Sequence, residues 1–189
     1  LPALDPGESL EVVVVLPHDH VGVPPPWLFQ CDTERLLLSV GGRERSDSVR
    51  NGLQDLPDEA GIVVVHDAAR PFATLSMFDG VVLRVWDASG AVPALHVVDT
   101  LKSVAEGVVT ATVDRSSLVL VQTPQAFPRA MLERAHAQAF REHVTATDDA
   151  ALCERLGLKV VVVPGDARAM KITTEADFAR AEALSNLRE

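Results

Sequence analysis

Tyrosine does not occur in this 189-residue chain, and aromatic residues make up only 4% of it. With so few rings, stacking of nucleobases on aromatic side chains is not expected, and the core has to come from Val, Leu and Ala. Cations are scarce as well: 17 Lys and Arg face 27 Asp and Glu, a formal net charge of -10. Association with nucleic acid or with an anionic membrane is therefore not expected, because counterion release needs clustered Lys and Arg. A small anionic substrate stays open, since charges beyond about 8 Å are largely screened at physiological salt. The cysteines are two, Cys31 and Cys153, a pair that offers neither a zinc spacing nor a disulfide framework. No apolar run approaches the roughly 20 residues of a membrane span, and no basic-then-apolar leader opens the chain. A soluble, cytoplasmic protein with reduced thiols is the expectation, and Leu1 in place of Met implies a start that was cut or processed.

A chain of this length is read as one α/β domain spanning 1–189. Apolar runs without polar alternation at 11–16, 36–40, 62–65 and 159–163 have the pattern of strands buried on both faces. A further strand is expected at 119–121, followed by a loop bracketed by Pro124 and Pro128. Helices are expected at 46–56, 75–87, 128–142, 147–156 and 174–187. Strands alternating with helices imply a mostly parallel sheet with right-handed crossovers. Thr147 is placed as the cap of one helix, with Asp148 and Asp149 in its first turn and Gly157 beyond its end. Thr174 and Asp177 form a variant capping box. Residues 94–117 have short β runs at 95–98 and 108–113 joined by 102–107, the pattern of a β arm, while 17–32, with Pro24, Pro25 and Pro26, reads as loop.

The sharpest local signal is Val63-Val64-Val65-His66-Asp67-Ala68-Ala69-Arg70-Pro71, where an apolar strand ends in an acid, two small residues and a base. Ligands in open α/β sheets bind beyond the carboxyl ends of strands. There Asp67 can hold a divalent cation on phosphate oxygens, Ala68 lets a ligand approach the backbone, and Arg70 offers a planar fork to phosphate. A turn with a surface Asp and Arg pair explains the same residues. Gly41-Gly42-Arg43-Glu44-Arg45-Ser46-Asp47-Ser48 also follows a strand and leads into a helix, which suits an anion or a base edge, or simply a turn and a cap. It lacks the Gly-Lys-Ser or Gly-Lys-Thr ending of a phosphate-cradling P-loop. His18-Asp19-His20 has no third ligand at a supporting spacing, and a solvent-facing loop fits it better than a metal site. No Gly-x-Ser-x-Gly elbow occurs, and a nucleophilic residue is not expected. Gly42, Asp67, Thr123 and Lys171 follow strands and can meet on one rim.

In order along the chain, Gly41 to Val49, His66 to Pro71, Asp99-Thr100-Leu101-Lys102, Thr112-Val113-Asp114-Arg115, Gln122-Thr123-Pro124-Gln125, Thr147-Asp148-Asp149-Ala150 and Lys171-Ile172-Thr173 resemble the 2-C-methyl-D-erythritol 4-phosphate cytidylyltransferases. The resemblance implies a Rossmann-like nucleotidyltransferase sheet flanked by helices, and a homodimer formed by the projecting β arm. It implies that CTP and a polyol phosphate are joined with release of pyrophosphate, with Mg2+ or another divalent cation as cofactor, in isoprenoid precursor biosynthesis. Carried over, Gly41, Gly42, Arg43, Ser48 and Ala68 would lie on the nucleotide side, and Asp67 would serve metal and substrate. Arg70, Thr123, Thr147 and Lys171 would line the substrate phosphate and reacting centre, with Asp67, Arg70 and Lys171 catalytic. Thr100, Lys102 and Arg115 would be substrate-binding residues of the arm, Thr100 and Arg115 arriving from the partner.

The resemblance also implies a first strand, a glycine-rich loop with an Arg and a Lys, and a helix ahead of residues 10–16. Leu1 to Ser9 contain nothing of that kind, so the loop is expected to be absent here and the chain as given to be a poor enzyme. Two other functions fit the same residues: a ribitol 5-phosphate cytidylyltransferase, and a non-catalytic dimerisation protein of the same fold.

Overall fold

The structure, a computed structural model, describes residues 10–186; the reading of Leu1 to Ser9 lies outside them, as does Leu187 at the end of the last expected helix. The Val-rich segments Val12–Leu16 (β1) and Leu36–Val40 (β2) pair in parallel, Val12 beside Leu36 through Leu16 beside Val40. Between them, residues expected as loop contain a short helix, His18–Val21 (α1), and a 3-10 turn at Pro26–Gln30, with a second 3-10 turn at Thr33–Arg35 just beyond them. After β2 comes Arg45–Gln54 (α2), which packs on β1 and β2; a Cβ on Gly52 would sit 3.1 Å from Val15 Cγ2, so helix and strand are in close contact there. Val12, Leu37 and Val40 stay exposed, so β1 and β2 are not buried on both faces as their apolar pattern suggests.

The larger sheet contains Ile62–Val65 (β3), Gly90–His96 (β4), Val119–Val121 (β7), Gln125–Pro128 (β8) and Val160–Pro164 (β9), with order β3-β8-β4-β7 and β9 on β4. Only the β4–β9 pair is parallel there; β3–β8, β4–β8 and β4–β7 are antiparallel. The expectation of a mostly parallel sheet is corrected to a mixed one. The antiparallel pairs involve β7 and β8, and β8, which falls in the stretch expected as loop, is hidden from sequence reading because it is short, follows Pro124 and ends on Pro128. Both β7 and β8 run along the same edge of β4. From the pair Ala94–Val121 to the pair Ala91–Ala126 the chain takes five steps on one side and three on the other. The two surplus residues are accommodated at 122–124, which include the cis peptide Thr123–Pro124, and this kink sets one side of the functional site.

Helices cover both faces. Leu75–Val85 (α3) buries Val81 and Val85 against Ala91, Ala126 and Val163, with Ile62 and Val64 beside them. Arg129–Arg141 (α4) and Asp149–Arg155 (α5) bury Leu132, Ala135, Leu152 and Cys153 against Val63, Val92 and Phe127 on the other face. The period-2 alternation of β3, Ile62 and Val64 one way and Val63 and Val65 the other, is what lets one strand serve two cores. The last helix, Glu175–Ser185 (α6), starts with the expected box: Thr174 Oγ1 accepts from Asp177 N at 3.3 Å, and Asp177 Oδ2 accepts from Thr174 N at 3.0 Å. Residues Leu101–Ala105 (β5) and Val108–Val113 (β6) form an antiparallel hairpin. Its turn places Glu106 at φ 50° and Gly107 at φ 80°, the doubly left-handed turn that matches strand twist. The arm therefore starts later than expected: residues 95 and 96 belong to β4, and Lys102 lies inside β5 rather than in a joining segment.

Candidate active site

Five segments converge at one end of the mixed sheet. They are the start of α2, the 66–71 turn after β3, the 122–125 kink, and the loops that precede α5 and α6. Arg45, Asp67, Arg70, Val121, Gln122, Thr123, Gln125, Thr147, Asp148 and Lys171 line a cavity of about 230 Å³ between them. The rim thus holds three cations and two carboxylates, a locally positive lining on a chain whose net charge is -10.

Asp67 is the hub. Its Oδ1 accepts from Arg45 Nε at 3.0 Å and its Oδ2 from Lys171 Nζ at 2.9 Å, with Arg70 Nε 4.0 Å from the same Oδ2. Burial by itself would raise the Asp67 carboxyl, but the Lys171 hydrogen bond and the Arg45 charge outweigh it and hold the group below the usual carboxylate range. Burial would likewise lower Arg45, yet Asp149 and Asp67 beside it leave it raised. In Arg70 burial prevails over the Asp67 charge and lowers the guanidinium, and its buried Nε has no hydrogen-bond partner among the described residues.

The loops carrying these groups are locked by main-chain contacts. Arg70 Nη1 donates to Ala169 O at 2.8 Å, and Ile172 N donates to Ala69 O at 2.8 Å. Gln122 Nε2 donates to Asp166 O at 2.9 Å while its Oε1 accepts from Asp166 N at 3.1 Å. Together they seat Lys171 against the 66–71 turn. On the opposite wall Gln125 Nε2 donates to Asp148 Oδ2 at 2.9 Å, and Gln125 Oε1 accepts from Ala150 N at 3.2 Å. The cap of α5 is Asp148, whose Oδ1 accepts from Ala151 N at 2.9 Å, and not Thr147, which is left free to face the cavity.

His66 fixes the Thr123 hydroxyl. Its Nε2 lies 3.2 Å from Arg70 O, a group that only accepts, so Nε2 carries the proton. Burial lowers the imidazole, more than the Arg70 carbonyl and the Asp67 charge raise it. In the neutral ring Nδ1 is then the acceptor, and the Thr123 hydroxyl 3.1 Å away donates to it while accepting from Asp67 N at 3.0 Å.

The sequence-predicted residues separate into three groups. Asp67, Arg70, Thr123, Thr147 and Lys171 meet at the cavity, and exposed Ala68 lies in the same turn. Gly41, Gly42, Arg43 and Ser48 sit at the start of α2 outside the cavity lining; Gly42 N donates to Ser48 Oγ at 3.0 Å, and Arg43 is exposed. Thr100, Lys102 and Arg115 are exposed in the arm, where Lys102 Nζ donates to Thr112 Oγ1 at 2.6 Å and Arg115 Nη1 to Val98 O. Sequence reading passed over Arg45, Gln122, Gln125 and Asp148 as functional groups. All four stand inside motifs it singled out, but only the fold shows which member of each motif turns inward. Among the described residues no group of three or more His, Cys, Asp or Glu could hold a metal ion. Cys153 is an inert core thiol, pushed up to about 12 by burial and then by Asp149, Asp148 and Glu154.

The family model for 2-C-methyl-D-erythritol 4-phosphate cytidylyltransferase (IspD) matches residues 3–186. This chain belongs to that family. It is 40% identical over 182 residues to the 2-C-methyl-D-erythritol 4-phosphate cytidylyltransferase of Syntrophus aciditrophicus, covering 92% of this chain and 76% of the relative. Among solved structures, the family enzyme of Thermus thermophilus is similar at 37% identity and a TM-score of 0.83, over 95% of this chain and 84% of that one. The 4-diphosphocytidyl-2C-methyl-D-erythritol synthase of Anaerococcus prevotii is similar at 28% identity and a TM-score of 0.85, over 93% and 78% of the two chains. Family members are nucleotidyltransferases.

Proposed function

We propose that this protein joins CTP and 2-C-methyl-D-erythritol 4-phosphate, giving 4-diphosphocytidyl-2-C-methyl-D-erythritol and pyrophosphate in the methylerythritol phosphate route to isoprenoid precursors. The observation that carries this reading is the cluster of Arg45, Arg70 and Lys171 around Asp67, with a buried Arg70 donor left unsatisfied beside the cavity. A phosphate oxygen of the polyol phosphate forms the new bond to the α-phosphorus of CTP. The bond from that phosphorus to the α–β bridging oxygen breaks, and its electron pair leaves with pyrophosphate. A phosphate monoester is already a competent nucleophile, so no side chain needs to become covalently attached. The protein positions two anions and offsets their charge as it shifts in the transition state.

Lys171 and Arg70 are the groups for the reacting phosphates, and Asp67 holds their orientation. Thr147 and Thr123 line the polyol phosphate side, the Thr123 hydroxyl proton being held by His66 Nδ1. Gly41, Gly42, Arg43 and Ser48 at the mouth of α2, with Ala68 in the turn after β3, form the nucleotide side. Mg2+ suits a cavity with few carboxylates, because the ion is normally held by one or two carboxylates plus substrate phosphates. Asp67 is the residue that would reach it, and when bound the ion supplies further neutralisation of the triphosphate. A homodimer through the arm would bring Thr100, Lys102 and Arg115 of one protomer toward its partner's cavity. A cytoplasmic setting agrees with two free cysteines and with the lack, among the described residues, of a helix long and apolar enough to cross a membrane.

Pyrophosphate release by the full-length gene product, measured with CTP, Mg2+ and either methylerythritol 4-phosphate or ribitol 5-phosphate, tests the reading. Turnover with methylerythritol 4-phosphate that stops on chelation and returns with Mg2+ is expected. Preference for ribitol 5-phosphate would replace the substrate, and no release with either would leave a dimerisation protein.

A further inference from the structure

Asp67 and Lys171 form the cavity end of a longer charge chain that runs into the core. Arg45 uses Nε on Asp67, and its Nη1 donates to Asp149 Oδ2 at 2.8 Å. The other oxygen of Asp149 lies 2.9 Å from His136 Nε2. Asp149 is 1% and His136 3% exposed, so both are shut away from solvent and from the cavity lining. The three residues come from different helices: Arg45 is the first residue of α2, His136 is in the third turn of α4, and Asp149 opens α5. A carboxylate this deeply buried is tolerated only when its lone pairs are satisfied. His136 and Arg45 satisfy one oxygen each.

We infer that Asp149, braced by His136, is a positioning residue that aims the Arg45 guanidinium and, through Asp67, the Lys171 ammonium at the substrate phosphates. The inference rests on the cytidylyl-transfer reading above. Its physical basis is that Arg45 is planar and forked: two N–H groups fixed on two carboxylates define the plane of the whole guanidinium, and hence where its remaining donors point. With Asp149 neutral or gone, only Asp67 restrains Arg45, and the group can swing on its long stem. Asp67 then balances Arg45 and Lys171 from a different direction. Asp149 touches no substrate in this arrangement; it acts through Arg45. Gln125 and Asp148 brace the same wall from the neighbouring cap, but Asp149 is the member joined directly to a cavity-lining cation.

The test uses the full-length enzyme and a double-mutant cycle. Asp149→Asn is expected to lower kcat/KM about thirtyfold, mostly in kcat, because misplacement of a charge by an ångström is enough to cost that much. In an Arg45→Met background the same substitution should cost less than about threefold, since the group it positions is already missing. Equal losses in the two backgrounds would overturn the inference. Should Asp149→Asn fail to fold, His136→Leu and His136→Gln carry the comparison. Glutamine can place a donor where Nε2 stands and is expected to keep kcat/KM within about threefold, while leucine loses about tenfold and, by leaving a buried Asp149 oxygen unpaired, also lowers the melting temperature. Equal loss from both would also refute it. Should the wild-type enzyme show no turnover, the functional reading fails on its own account. The positioning claim is then decided by NMR of the Arg45 Nη–H groups: protection from exchange in the wild type and its loss in His136→Leu support it, and identical protection in both rejects it.

Discussion

Lys171 makes the clearest single-residue case. Its ammonium is partly exposed and rests on the half-buried Asp67 carboxylate, and a partly exposed ion pair contributes little to stability. Its worth is in the reaction. Lys171→Ala is expected to reduce kcat/KM about a hundredfold, roughly 3 kcal/mol of transition-state stabilisation, with a melting temperature close to wild type; pyrophosphate release and a thermal melt check the two halves. Asp67 behaves in the opposite way. Its carboxyl lies below the usual range when folded, so the unfolded chain binds more protons there as pH falls toward about 4. The stability it contributes is present above the unfolded value and is lost as pH drops through the folded one. Denaturation midpoints across pH 2–6 (about the window in which carboxylates titrate) should fall less steeply with acidification in Asp67→Asn than in the wild type.

At the scale of elements, the turn into α2 and the kink between β7 and β8 do most to place the site. A Cβ on Gly42 would stand 2.2 Å from Asp47 Cβ, closer than atoms can pack, so Gly42→Ala must push the turn off the helix. A loss of about 1–3 kcal/mol by urea titration is expected, with Ser48 losing its main-chain partner. The short strand β8 is pinned by Phe127, which is fully buried and packs where a Cβ on Gly90 would meet its ring at 2.5 Å. Phe127→Ala is expected to cost about 3–5 kcal/mol. Because Gln122, Thr123 and Gln125 all depend on that strand's register, activity should fall in parallel with stability. The turn into α2 was legible in local pattern, but the kink was not. β8 is short, begins after a proline and ends on another, and its two partners, β3 and β4, lie far away in sequence.

For the molecule as a whole, the hairpin arm is the feature with an assembly to explain. Val104, Val108 and Val109 are exposed on it, and a homodimer through this arm would give those side chains cover. Val108→Lys is expected to shift the full-length protein from dimer to monomer by sedimentation and to raise KM for the polyol phosphate more than KM for CTP, if Thr100 and Arg115 act on the partner's site. A wild-type protein that sediments as a monomer at all concentrations would remove the arm from the proposed mechanism.

The residues alone implied an α/β chain, its longer helices to within a few positions, a β arm, and a shared rim for Asp67, Thr123 and Lys171, with Gly42 wrongly included; Arg70 and Thr147 joined that site only through the family resemblance. Apart from those two, each of these is written in short range, as an apolar run, a cap, or a polar group just after a strand. The antiparallel share of the sheet, Asp148 in place of Thr147 as the cap, and the inward turn of Arg45 toward Asp149 and His136 emerged only from folding. They depend on contacts between residues up to 104 apart, and over such separations it is packing and burial, not local propensity, that choose which member of a polar motif faces the cavity.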